Sequence, residues 1–188
     1  MNVSTNGSWD GLHPENHSPY DPYLASALIS FFKEEKASSI IDLGCGTGQY
    51  VRALNKAGIP CDGLDGNPHT HQITNGECET ADLSQPLTLG KNYDWVLSLE
   101  VGEHIPKKYE SIFLENINNA SPSGIVLSWA IKGQGGFGHV NERDNKYIQS
   151  KIKKNNYFYR KDASLSLRSR ASLSWFKNTL MVFRSQNP

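Results

Sequence analysis

Two short stretches of the chain gather side chains that can do chemistry. In Glu100-Val101-Gly102-Glu103-His104, a second carboxylate follows the first at three residues and an imidazole at four. On a helical turn these positions share one face. His139 stands in a later glycine-rich stretch, Gly136-Phe137-Gly138-His139-Val140-Asn141. Two carboxylates and two imidazoles form a ligand set for Mg²⁺, Mn²⁺ or Zn²⁺. Without a metal, His104 or His139 can act as a general base, because imidazole titrates near neutrality. The plainer role for Glu103 and His104 is to cap and orient the helix that follows.

A third stretch offers backbone rather than side chains. Ser39-Ile40-Ile41-Asp42-Leu43 reads as a short buried strand that runs into Gly44-Cys45-Gly46-Thr47-Gly48, where a helix begins. Glycines permit a sharp turn and let a ligand approach the main chain, and the helix N-terminus presents unpaired N–H groups. Asp65 closes the next strand, 23 residues after Asp42, so a carboxylate stands beside the loop where it can accept both ribose hydroxyls. Two cofactor classes use such a site. The dinucleotide fingerprint Gly-x-Gly-x-x-Gly requires glycine where this chain has Gln49. That leaves an NAD-dependent oxidoreductase as the weaker alternative.

With the acid inside the strand, the pattern Asp-x-Gly-x-Gly-x-Gly resembles the class I S-adenosylmethionine-dependent methyltransferases. Their first motif is carried by Ile41 to Gly48 and their second by Gly63-Leu64-Asp65-Gly66-Asn67. Their third is carried by Asp82-Leu83, and their fourth strand by Tyr93-Asp94-Trp95-Val96-Leu97-Ser98, ending in Glu100. The resemblance implies a Rossmann-like fold and S-adenosylmethionine as cofactor. It implies that Asp42 steadies the loop and the amino end of the cofactor, while Gly44, Gly46 and Gly48 let the backbone approach. Asp65 would bind the ribose, Gly66 and Asn67 would line the adenine side, and Asp82 would receive the adenine amino group. Leu83 would pack on the ring, and Glu100 would complete the cofactor site. The Glu-x-x-Glu-His with a later His resembles the metal-using O-methyltransferases of ubiquinone biosynthesis and the small-RNA 2′-O-methyltransferases. That likeness implies Glu100, Glu103, His104 and His139 as ligands of a metal that grips the accepting hydroxyl. A catalytically silent module that only binds the cofactor is the alternative from a different class.

These residues need a scaffold, and the chain's patterning supplies one. Residues 1–22 form a polar arm or lid, in which Trp9, His13, His17 and Tyr20, with Tyr23 just beyond, could close over the site. Residues 23–38 form a leading helix, with Leu24, Ala27, Leu28, Phe31 and Phe32 on one apolar face. Residues 39–188 form the core, in which strands alternate with helices. That order predicts an α/β, mostly parallel seven-stranded sheet, with helices on both faces and an antiparallel edge strand. Two final strands, 157–159 and 179–183, are expected with little helix between them. Gly133 to Gly138 is read as a substrate lid. Trp129 and Trp175 are expected in the core.

The 188 residues suffice for a single domain, and the net charge is zero. The charge is uneven, however: residues 143–188 hold 11 Lys or Arg against Asp144 and Asp162. A surface of that kind either is simply solvated or attracts an anionic acceptor. The acceptor expected is therefore a hydroxyl or amine of a small molecule or chain end, anionic where that surface meets it, and nucleic acid stays among the candidates. The three cysteines match no disulfide framework or zinc spacing. With no signal-peptide pattern and no apolar run of about 20 residues, the chain reads as cytoplasmic and independent of a membrane.

Overall fold

A computed structural model describes residues 2–12, 19–120, 123–154 and 156–186. A two-stranded hairpin, β1 (Asn2–Val3) and β2 (Trp9–Asp10), precedes the first helix, α1 (Pro22–Glu34). Asp21 starts α1 because its Oδ1 accepts the Tyr23 and Leu24 amides at 3.0 Å each, and Pro22 follows at the first helical position. Strand β3 (Ile40–Leu43), helix α2 (Gln49–Lys56) and strand β4 (Cys61–Asp65) come next. They are followed by α3 (Thr70–Ile73), β5 (Glu79–Thr80) and β6 (Trp95–Ser98). The segment after β6 passes through a 3₁₀ turn at Lys107–Tyr109 into α4 (Glu110–Ala120), and β7 (Gly124–Leu127) follows. The chain closes with α5 (Asn145–Lys153), β8 (Tyr157–Tyr159), α6 (Lys161–Arg170), α7 (Phe176–Thr179) and β9 (Met181–Ser185).

The main sheet has seven strands in the order β5-β4-β3-β6-β7-β9-β8. Its first five run parallel, and β9 lies antiparallel between β7 and the edge strand β8. Successive side chains of a strand point to opposite faces. Ile40, Trp95, Leu97, Val126 and Val182 accordingly pack with α1, α2, α6 and α7 in one core cluster. Ile41, Val96, Ile125, Leu127 and Phe183 pack with α4 and α5 in the other. The expected Rossmann-like sheet, covered on both faces, is what the chain adopts.

Two local expectations need correction. A full helix, α6, separates the last two strands. Part of the arm is the β1–β2 hairpin rather than a loose loop, while His13 and His17 lie outside the described residues. Among the described residues, no helix is long and apolar enough to cross a membrane.

Candidate active site

The β3–α2 turn is built on positive φ angles: 89° at Gly44, 54° at Gly46 and 71° at Gly48. At Gly44 a side chain would also strike Val101, so only glycine fits there. The turn is pinned from β4. Asp65 Oδ2 accepts the Gly46 amide at 2.8 Å, and Oδ1 accepts the Asn67 amide at 2.9 Å. Burial pushes the Asp65 carboxyl up, and those two amides offset only part of the shift.

Above the turn opens a cavity of about 780 Å³. Asp42, Gly44, Gly46, Asp65, Gly66, Asn67, Asp82, Leu83 and Glu100 all line it. Gly48 does not. It faces Cys78 and Thr74 instead, where it lets the helix start close to the neighbouring loop. Asp42 is 2 % exposed, and nothing among the described residues donates to its carboxylate. Burial, then the charges of Cys78 and Asp65, hold that carboxyl well above the usual range. A buried acid without a partner asks for a cation. S-adenosylmethionine carries an ammonium and a sulfonium, so the residues present suit it.

The far end of the cavity is formed by the segment after β6 and the loop after β7. Residues 100–104 do not form a helical turn. Glu100 takes a φ of 54°, and the following bonds are i→i+3, from His104 N to Val101 O and from Ile105 N to Gly102 O. The Glu100 carboxyl still lies against that of Glu103. The Glu100 carboxylate accepts from Gln134 Nε2 at 2.7 Å and from Thr179 Oγ1 at 3.0 Å. Glu103 is fully buried, and among the described residues no donor bonds either carboxyl oxygen. Burial, then the charge of Glu100, hold the Glu103 carboxyl well above the usual range. The Glu103 and Ala130 amides oppose the shift without closing a bond.

Glu103, His104 and His139 each bring one ligand atom into a group within 4.8 Å, while Glu100 stands outside it. The two rings meet edge to face at 4.9 Å. His104 Nδ1 lies 3.2 Å from Gly138 O, and His139 Nδ1 lies 3.1 Å from Glu142 Oε1. A carbonyl or a carboxylate only accepts, so Nδ1 carries a proton in each ring. Burial and the neighbouring His139 push His104 down to about 4, with the Gly138 carbonyl opposing, so this ring is neutral near pH 7.

Several contributors to the site carry no sequence motif. Trp9 sets its ring edge on His104 at 5.1 Å and on Phe137 at 6.3 Å. Ser8 packs against Gly66, and Asn67 Nδ2 donates to Gly11 O at 2.9 Å, so the hairpin roofs the cavity from its Asp65 end to the imidazoles. Trp129 is buried, as expected. Trp175 is half-buried and lines the cavity beside Phe176, and Tyr50 lines it too, whereas Tyr23 is exposed and does not. Lys132 is the one basic residue other than histidine in the lining, against Asp42, Asp65, Asp82 and Glu100.

A family model described as a methyltransferase domain matches residues 18–175. The tocopherol O-methyltransferase of Arabidopsis thaliana is 33% identical over 112 residues, 52% of this chain and 32% of the relative. A probable tocopherol O-methyltransferase of Oryza sativa subsp. japonica is 31% identical over 122 residues, 56% of this chain and 33% of the relative. The chain spans about a third of the length of these two curated relatives. Among solved structures, the magnesium protoporphyrin IX methyltransferase of Synechocystis PCC 6803, with bound SAH, superposes with a TM-score of 0.68. It does so at 17% identity over 86% of this chain and 82% of that one. With a family match that covers most of its length and the sheet order described above, the chain belongs to the methyltransferase domain family, on the class I S-adenosylmethionine-dependent methyltransferase fold.

Proposed function

We propose that this protein transfers the methyl group of S-adenosylmethionine to a hydroxyl oxygen of a small acceptor with a flat apolar body. The observation that carries this reading is a single cavity that joins the Asp42–Asp65 end to the His104–His139 corner. The cofactor, when bound, supplies an electrophilic methyl on a sulfonium, so the protein's task is alignment and removal of one proton. Asp42 would face the cationic end and Asp65 the ribose, with Asp82 and Leu83 at the adenine. Trp9, Phe137 and Trp175 offer ring faces and edges to a planar acceptor. His139 would take the hydroxyl proton at Nε2, because the imidazolium so formed would rest against the Glu142 carboxylate. The tocopherol O-methyltransferase relatives support oxygen as the atom methylated.

A metal-assisted version has its own support. Glu103 is a buried carboxylate without a partner, and both imidazoles present Nε2 with Nδ1 held by an oxygen, the arrangement found around metal-ligating histidines. Glu103, His104 and His139 would hold the ion, which would supply a Lewis acid that lowers the pKa of an acceptor hydroxyl beside it. An anionic acceptor finds less support, since Lys151, Lys153 and Lys154 lie outside the cavity lining and four acids lie in it.

The test is release of S-adenosylhomocysteine with a panel of phenols, catechols and matched amines, with EDTA or with added Mg²⁺, Mn²⁺ or Zn²⁺. Turnover of the oxygen acceptors is expected, lowered about 10²- to 10⁴-fold in His139→Ala. Loss with EDTA and rescue by one cation would select the metal-assisted version. Turnover of amines alone would contradict an oxygen acceptor. Cofactor binding with no turnover on any acceptor would favour a silent binding module.

A further inference from the structure

Glu142 sits three residues beyond His139 and outside every motif described above. Its carboxylate is used in full. Oε2 accepts the Gly133 amide at 2.7 Å, and Oε1 accepts the Gly135 amide at 2.7 Å and faces His139 Nδ1 at 3.1 Å. The glycine loop is therefore wrapped around this one carboxylate. Gly133 and Gly135 adopt φ angles of 84° and 69° on either side of Gln134. Gln134 in turn donates to Glu100 Oε2 at 2.7 Å at the cofactor end of the cavity.

The base of Glu142 is fixed on both sides. The Val140 and Asn141 amides both bond Glu103 O at 2.9 Å, and the Arg143 amide bonds Ala130 O at 2.9 Å. The Arg143 side chain pairs with the buried Glu110 at 2.8 Å. One rigidly mounted carboxylate thus touches both the loop that reaches the cofactor end and the imidazole at the acceptor end.

We infer that Glu142 is a positioning residue: it fixes His139 in the Nδ1–H tautomer and holds the Gly133–Gly135 loop, and through Gln134 the Glu100 carboxylate, in place over the cofactor. This inference rests on the proposed methyl transfer for its purpose but not for its geometry. All three contacts to the carboxylate come from donors. An apolar side chain offers none of them an acceptor. A glutamine offers one oxygen and turns its NH₂ toward a donor.

The test uses the full chain labelled with ¹⁵N, alone and with S-adenosylhomocysteine. Imidazole ¹H–¹⁵N spectra report the tautomer of His139, with His139→Gln assigning the signals. The wild type is expected to show Nδ1 protonated and Nε2 bare. Glu142→Leu should shift His139 toward the Nε2–H tautomer and weaken S-adenosylhomocysteine binding roughly threefold to tenfold, in step with one or two lost hydrogen bonds. Glu142→Gln, the conservative variant, should keep the tautomer while losing part of the affinity. Asp144→Leu, which removes a nearby exposed carboxylate, should change neither. An Nε2–H tautomer in the wild type, or a folded Glu142→Leu with unchanged tautomer and affinity, would overturn the inference. The tautomer is read without turnover, so failure to methylate any acceptor would sink the proposed function and leave this result standing.

Discussion

Asp42 and Asp65 set the electrostatics of the cofactor end. Both carboxyls are raised by burial, so they keep protons to higher pH than an exposed aspartate does, and a bound cation would displace those protons. Affinity for S-adenosylmethionine should therefore rise with pH on the acid side of neutrality, and binding should release protons. Calorimetry in buffers of different ionisation enthalpy would show the release, and uptake of protons would contradict it. Gly44→Ala should loosen the turn, because it forces a side chain into a left-handed backbone and against Val101. A cost of about 1–3 kcal/mol in unfolding free energy is expected, read from denaturation curves, together with weaker cofactor binding.

The sequence made most of the residues that line this end of the cavity legible, because they stand at strand ends with fixed offsets. It left Glu142 and Gln134 hidden. Their partners are backbone amides and a distant carboxylate, and no spacing rule encodes those. Nor does the spacing of Glu100, Glu103 and His104 reveal that the segment is no helical turn, since Glu100 takes a left-handed backbone.

At the scale of elements, period and punctuation carried most of the information. The apolar face of α1, the buried strand at β3 and the glycine turn after it were all readable. Helix α6 was not. Leu165 and Leu167 alternate as a strand would, yet Leu165 is 50% exposed and only Ala163, Ser164 and Leu167 are buried. What holds α6 is docking: Ser164 Oγ donates to Arg160 O and accepts the Val182 amide of β9. The hairpin was hidden for a related reason, since two-residue strands show no periodicity.

Asp21 ties α1 to the segment that carries Trp175. Its Oδ2 accepts the Ser172 and Leu173 amides at 2.6 and 2.8 Å, while Oδ1 caps the helix. Burial alone would raise its carboxyl, but these hydrogen bonds outweigh it and leave it below the ordinary value of 3.8. A depressed folded-state value means that this stabilisation is present above 3.8 and is lost as pH falls through the folded value. Asp21→Ala should cost about 2 kcal/mol near pH 7 and much less in strong acid, as denaturant titrations at the two pH values would show. Glu110 is comparable: it is 5% exposed and bonded by Tyr147, Arg143 and Asn141. Glu110→Ala should destabilise the fold by about 3 kcal/mol, since it strands a charge on Arg143. Amide exchange should quicken along residues 139–147.

At the scale of the molecule, the sheet sets the Asp42–Asp65 end of the cavity at the carboxyl ends of β3 and β4 and the imidazole end beyond β6 and β7. The excess of basic residues after 143 was plain in the sequence, but its destination was not. It lies mainly on α5, α6 and the strands beside them, while the cavity keeps an acidic lining suited to a cationic cofactor. The proposed chemistry therefore depends on that cofactor. Titration of the protein with S-adenosylmethionine by calorimetry, beside Asp65→Ala and NAD, tests it most directly. Saturable 1:1 binding, weakened roughly tenfold to a hundredfold in the variant and absent with NAD, is the predicted result. No binding by a folded protein, or binding of NAD in its place, would contradict it.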